Sequence, residues 1–169
     1  MKEQTYRAMA EAINQTPFIR SYIIWFNRIV TIAVYLLYPA LLFLLWHTKN
    51  DGLLPAILIP GISFVLLSIY RDRINKPRPY EVFQMEPIIN KKTQGHSFPS
   101  RHIFSIFIIA TTIFYFHPLP GILVGLVGAA LAFNRVVGGV HFVKDVVAGA
   151  LIGIACGVIG FYIILPFFH

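Results

Sequence analysis

The sequence predicts an all-α fold, a polytopic bundle of about five transmembrane helices preceded by an N-terminal interfacial amphipathic helix. Three observations carry that expectation. Of the 169 residues, 57% are hydrophobic and only 12% are charged, far from a soluble globular composition. The apolar residues gather into long runs instead of alternating with polar ones. The remaining polar residues concentrate in three short blocks at the edges of those runs, residues 71–79, 99–102 and 134–145. No linker, internal repeat or low-complexity tract divides the chain, so residues 1–169 read as a single domain.

Taken in order, residues 1–20 carry Lys2, Glu3, Arg7, Glu11 and Arg20 among apolar positions. That pattern suits a helix over 3–20 lying on the membrane surface rather than a cleavable signal peptide. Residues 29–46 and 53–70 are each uncharged over their whole length. Each would be roughly 27 Å long as a helix at about 1.5 Å per residue, close to the thickness of a bilayer core. They predict spanning helices over 21–46 and 53–70, joined by the turn HTKNDG. A polar loop over 71–101 follows. Two shorter apolar runs, 103–116 and 119–133, are separated by His117-Pro118 and span if their flanks each contribute a turn. The link VVGGV then leads to a last helix over 141–166.

Five crossings place the loop 71–101 and the link 135–141 on one membrane face, because two helices separate them. The three polar blocks therefore converge, and the opposite face receives the HTKNDG and HPLP turns. Gly149, Gly153 and Gly157 recur every fourth position, as do Gly121, Gly125 and Ala129; such rows let helix backbones approach closely in lipid. Pro39, Pro55 and Pro60 are expected to kink helices whose freed carbonyls neighbours can satisfy. The lone cysteine, Cys156, reads as a small buried apolar residue.

Ionisable groups at membrane depth are costly and mark working sites. His141 and Asp145 stand four apart at the head of the last helix, so they are expected to share a face. A carboxylate that accepts from one imidazole nitrogen fixes the tautomer and leaves the other nitrogen as base or nucleophile. An ordinary helix-start pair would look the same. Arg135, six residues earlier, shifts the weighing, because guanidinium forks grip phosphate oxygens bidentately. Arg71 and Arg78 add donors, and Arg78 is locked between Pro77 and Pro79. Arg73, Lys76, Lys91 and Lys92 read instead as snorkelling cations at helix ends. Ser97 or Phe98 with Pro99 marks a helix start whose free N–H groups face an anion, with the Ser100 hydroxyl as a further donor. His102 falls in that first turn, placed to protonate a leaving oxygen. His96 reads as an interfacial histidine, and His47, His117 and His169 fall on the opposite face without a role.

A net charge of +7 could suggest nucleic acid, but the basic residues sit at helix ends and no soluble module carries them. An anionic headgroup or phosphate is the simpler partner. Zinc requires three or four ligands at recognisable spacing, and several arginines around one pocket repel a divalent ion. No metal, no cofactor and no obligate protein partner is expected.

The order of the blocks resembles the type-2 phosphatidic acid phosphatase superfamily, in its membrane lipid phosphatase branch. The family pattern is Lys-x6-Arg-Pro, then Pro-Ser-Gly-His, then Ser-Arg-x5-His-x3-Asp. Arg78-Pro79, Pro99-Ser100, His102, Arg135, His141 and Asp145 match it by type and spacing across 71–145. Three positions depart: Arg71 replaces the lysine, Arg101 the glycine and Asn134 the serine. The first keeps the charge, and the third costs at most a minor hydrogen bond. Arg101 places a cation between Ser100 and His102 that either contacts a second phosphate or headgroup or points to solvent. The resemblance implies that His141 attacks phosphorus to form a phosphohistidine while Asp145 orients it. It implies that His102 protonates the leaving oxygen and that Arg71, Arg78, Ser100 and Arg135 hold the equatorial oxygens.

The expected activity is hydrolysis, without metal, of a phosphomonoester or pyrophosphate on a lipid of the undecaprenyl pyrophosphate, phosphatidic acid or phosphatidylglycerophosphate type. The alternatives are a lipid phosphotransferase that passes the group to another hydroxyl, and a non-catalytic phospholipid carrier. The resemblance implies a site on the extracytoplasmic face of the cell membrane. The basic residues argue the reverse: of 14 lysines and arginines, Lys49 alone falls on the face away from the blocks, which by the positive-inside rule puts the site in the cytoplasm. Setting aside Arg71, Arg78, Arg101 and Arg135 as phosphate-binding leaves that imbalance in place.

Overall fold

A computed structural model describes residues 3–91 and 93–168. Lys2, Lys92 and His169 lie outside the described residues. The elements are α1 (Glu3–Asn14), α2 (Pro17–His47), α3 (Leu53–Ile74), a short α4 (Pro79–Val82), α5 (Arg101–Phe116), α6 (Pro118–Val137) and α7 (Val143–Val158). A π-helical segment over Ile159–Ile164 and a 3-10 turn over Leu165–Phe168 continue α7. Every described element is helical.

Four of these helices, α2, α3, α6 and α7 with its continuation, are long and apolar enough to cross a bilayer. The remaining expected span is α5, which has only 16 residues, about 24 Å at the α-helical rise. It is the centre of the bundle. It packs most extensively on α6 and α7 and also touches α2 and α3, and every residue from Ile108 to Ile113 is buried. The outer helices instead leave large apolar side chains such as Leu36, Leu66 and Leu126 exposed, as lipid-facing surfaces require. A helix sheathed by other helices has no need to match the hydrocarbon thickness on its own.

Two boundaries differ from the sequence expectation. The surface helix ends at Asn14, and α2 begins at Pro17, where a proline at the first helical position is pre-set for the start of a helix. The last helix begins at Val143, not at residue 141, so His141 stays in the preceding link. Pro60 removes the N–H that would bond the carbonyl of Ala56, and the Tyr38 hydroxyl from α2 donates to that carbonyl. Pro55 lies in the first turn of α3, where its missing N–H would be unsatisfied in any case.

The glycine rows are only partly as expected. On α7, a Cβ on Gly149 would lie 2.6 Å from the Ser100 carbonyl oxygen and one on Gly153 2.7 Å from that of Phe104, so the α7 backbone lies directly on α5. On α6 the close approaches are Gly121, against the backbone of Phe114, and Gly128, near Ile106 and Phe107; Gly125 faces open space. The every-fourth-residue row on α6 is therefore not its contact line, which runs one heptad from 121 to 128.

The amphipathic α1 does more than lie on a surface. Tyr6 is 1% exposed, packs among Phe83 and Phe142, and donates its hydroxyl to the His141 carbonyl at 3.2 Å. Arg7 donates to the Phe83 carbonyl at 2.6 Å. These contacts put α1 at the same end of the bundle as the polar blocks. At the other end the 48–52 turn meets the end of α5, where Gly52 sits against the Phe116 ring.

Candidate active site

The polar loop between α3 and α5 folds onto the α6–α7 link through its own backbone. Ser97 N–H donates to the Lys76 carbonyl at 2.8 Å, Ile88 N–H to that of Gly138 at 3.1 Å, and Ser100 N–H to that of Asp145 at 2.8 Å. Glu81 gathers the loop, accepting from the N–H of Arg78 at 2.8 Å and of Gly95 at 2.9 Å. Gly139, at φ +76°, makes the turn that presents Val140 and His141; a side chain there would strain the backbone.

The three blocks meet. Arg71, Arg78, Lys91, Arg101, His102 and His141 all line one cavity of about 190 Å³. Arg78 is fixed by its Nε donating to the Gly95 carbonyl at 2.9 Å and its Nη1 to the Val140 carbonyl at 3.0 Å. The same Nη1 lies 3.4 Å from His141 Nε2. Arg71 is held by the His96 carbonyl, so His96 contributes its backbone while its ring lies 3.1 Å from Asp72. Ser100 and Arg135 do not line the open volume. Both are buried, at 0% and 3% exposure, and Ser100 Oγ and Arg135 Nε have no hydrogen-bond partner among the described residues. Buried polar groups without partners are costly, and two unused donors beside a guanidinium-lined cavity fit an anion's oxygens.

His141 and Asp145 are less directly joined than their spacing suggests. Nδ1 and Oδ2 are 3.6 Å apart, beyond a hydrogen bond. The cause is the late start of α7. Asp145 is the third helical residue, and its Oδ2 caps the helix by accepting the Phe142 N–H at 3.0 Å. That oxygen also accepts the Ser97 hydroxyl at 2.5 Å, and Ser97 Oγ lies 3.5 Å from His141 Nδ1. Ser97 thus stands between acid and imidazole. The helix start expected near Ser97 or Phe98 instead has Ser100 as its cap and Arg101 as its first residue, which frees Ser97 for this contact.

Burial, reinforced by Arg135 and Arg78, holds the His141 pKa well below its ordinary value, so the ring is neutral at physiological pH. Lys91 was expected to snorkel. It lines the cavity instead, and burial with Arg78 and Arg135 lowers its pKa to about 7. An anionic phosphate held in this cavity should therefore bind most tightly below pH 7 and more weakly as the ammonium loses its proton above it. KM measured from pH 6 to 9 should rise by about tenfold across this range, the scale of one charge-assisted hydrogen bond. Lys91→Arg, which stays protonated, should abolish the rise; an unchanged profile in that variant would remove Lys91 from phosphate binding. Asn27 on α2 was not anticipated either: its side-chain oxygen accepts from Arg135 Nη1 at 3.2 Å. The available signal was an asparagine beside Arg28 near the start of the expected helix over 21–46. Asn134 does not face the site, because its amide donates to the Ile23 carbonyl at 3.0 Å and ties α6 to α2.

Beside the polar cavity lies an apolar groove between α2, α3, α5 and α6, with Val34, Tyr35, Phe64 and Ile106 among its walls. Arg101 and His102 line both spaces. Among the described residues no group of three His, Cys, Asp or Glu side chains is placed to hold a metal ion.

Residues 52–168 match the sequence profile of the PAP2 superfamily. The chain belongs to that superfamily. It is 31% identical over 137 residues to the Bacitracin transport permease protein BcrC of Bacillus licheniformis, across 78% of this chain and 68% of that protein. Aquifex aeolicus LpxE is similar in structure, with a TM-score of 0.72 and 28% identity over 93% of this chain and 92% of that one. The first transmembrane PAP2-type phosphatidylglycerolphosphate phosphatase from Bacillus subtilis shares the fold, with a TM-score of 0.59 and 22% identity over 93% and 90% of the two chains. This PAP2 chain is a multi-pass membrane protein of a phosphatase family.

Proposed function

We propose that the chain is an integral membrane lipid phosphatase that hydrolyses a phosphomonoester or pyrophosphate of a lipid through a phosphohistidine on His141. The observation that carries this reading is a neutral, buried imidazole whose Nε2 faces Arg78 in a cavity ringed by cations. In this reading the substrate phosphoryl occupies the cavity with its equatorial oxygens on Arg71, Arg78, Ser100 Oγ and Arg135 Nε. Phosphoryl transfer requires mainly positioning and charge neutralisation, which these groups supply without a metal. Ser97 and Asp145 orient the His141 ring from its Nδ1 side. His102 donates a proton to a leaving alkoxide and afterwards takes one from the water that cleaves the phosphohistidine. The apolar groove receives the hydrocarbon, so the tail stays in the bilayer while the phosphate is processed at its edge.

The test is release of inorganic phosphate from a panel of lipid phosphates by the protein purified in detergent. Turnover should persist in a chelator and be blocked by vanadate, which occupies phosphoryl sites. Strict dependence on Mg²⁺ overturns the metal-free mechanism, and no release from any lipid phosphate overturns the assignment.

A further inference from the structure

Arg101 occupies a particular place in this site. Of the cations that line the polar cavity, Arg101 alone also lines the apolar groove. Its guanidinium lies over the Phe64 ring, 5.6 Å from the centroid, at the wall of that groove. Arg71, Arg78 and Arg135 are all engaged by hydrogen bonds to the protein. Among the described residues neither a hydrogen bond nor an ion pair holds the Arg101 side chain, which is exposed. A lipid with its terminal phosphoryl at His141 and its hydrocarbon along the groove must pass the group joining them beside Arg101.

We propose that Arg101 binds the inner phosphate of a lipid diphosphate and makes the enzyme selective for diphosphates over monophosphates. This inference rests on the phosphatase reading above. Nε2 of His141 bonds to the terminal phosphorus, the bond from that phosphorus to the bridging oxygen breaks, and the bridging oxygen leaves on the lipid monophosphate. Water then displaces the phosphoryl group from His141, giving inorganic phosphate and the free imidazole.

The two substrate classes make different demands on the leaving side. A lipid alkoxide is strongly basic and must receive a proton as it departs, the task of His102. A departing phosphate has its second pKa near about 6, so it can leave as an anion provided that its charge is neutralised. A permanently charged guanidinium free to reach the bridging oxygen meets that need, and charge-assisted hydrogen bonds to phosphate oxygens are the strong ones. Arg101 and His102 open α5, and both line the polar cavity and the apolar groove, so both groups stand where the leaving side would lie.

The experiment compares kcat/KM for a C15 prenyl diphosphate and the matching prenyl monophosphate in detergent micelles. For Arg101→Gly the diphosphate-to-monophosphate ratio should fall at least tenfold, with Arg101→Lys retaining most of it. His102→Gln should shift the ratio the other way, because the monoester depends more on the proton. Thermal unfolding of each variant in detergent separates altered chemistry from altered folding, and Arg101→Gln serves as a second variant if the glycine frays the helix start. If the Arg101 variants change both substrates by the same factor, or neither, the inference is overturned while the phosphatase reading stands. If wild-type protein releases phosphate from neither lipid, the reading itself fails and takes this inference with it.

Discussion

His141→Ala should reduce phosphate release by about three orders of magnitude or more, the scale seen when an enzyme loses its nucleophile but keeps its binding groups. The expectation follows from position and charge state together. His141 is 1% exposed, so bulk water does not compete for its nitrogen, and burial among arginines keeps the ring unprotonated. Nε2 faces the cavity beside Arg78, whereas Nδ1 faces Ser97 and Asp145. One nitrogen thus lies beside Arg78, where the proposed phosphoryl would sit, and the other lies beside Ser97 and Asp145. Alanine removes the nucleophile while leaving every guanidinium in place, so substrate binding should largely survive as kcat collapses. Rapid quench with labelled lipid phosphate should trap a phosphoenzyme that withstands alkali and is lost in acid, as a phosphorus–nitrogen bond requires. Near-normal turnover in His141→Ala, or a label that resists acid, would sink the nucleophile assignment.

Gly149→Val should damage stability and activity together. A Cβ at Gly149 would stand 2.6 Å from the Ser100 oxygen and 3.2 Å from the Phe104 nitrogen. Both are backbone atoms on α5, so no side-chain rotation can relieve the clash. The helices must separate at the point where Ser100 N–H bonds the Asp145 carbonyl at 2.8 Å. Overpacking of this kind costs about 1–3 kcal/mol, and contact with immovable backbone argues for the upper end. The same shift draws Ser97 and Ser100 away from Asp145 and His141, so activity should fall along with the thermal midpoint in detergent. Gly125→Val is the matched control, since nothing lies within 4 Å of a Cβ there. Equal midpoints for the two variants would refute the close α5–α7 approach.

Much of this architecture was legible because hydropathy and parity are one-dimensional properties. Apolar length sets which segments can cross a bilayer, and counting crossings sets which polar blocks share a face. Arg78, His102 and His141 were placed in one pocket by that argument alone, and they line one cavity. The failures share a different cause. Helix boundaries decide whether His141 and Asp145 lie on one helical face, and the start at Val143 put His141 in a link and turned Asp145 into a helix cap. Ser97 was absorbed into an expected helix start, so its bridging place went unseen. Lys91 was read as a surface cation because nothing local marks a loop residue as folding inward. The α6 contact line was misread because repetition along a helix does not say which side meets a neighbour.

Composition and the order of the polar blocks, then, marked a membrane helix bundle on their own and brought Arg71, Arg78, Arg101, His102 and His141 to one end of it. The tertiary structure alone decided which nitrogen of His141 faces the cavity, that Ser97 stands between it and Asp145, and that Arg101 lies where the polar cavity meets the apolar groove. The physical reason is that segment length and charge are properties of the chain itself. The rotation of a helix about its axis and the path of a loop depend instead on what packs against them.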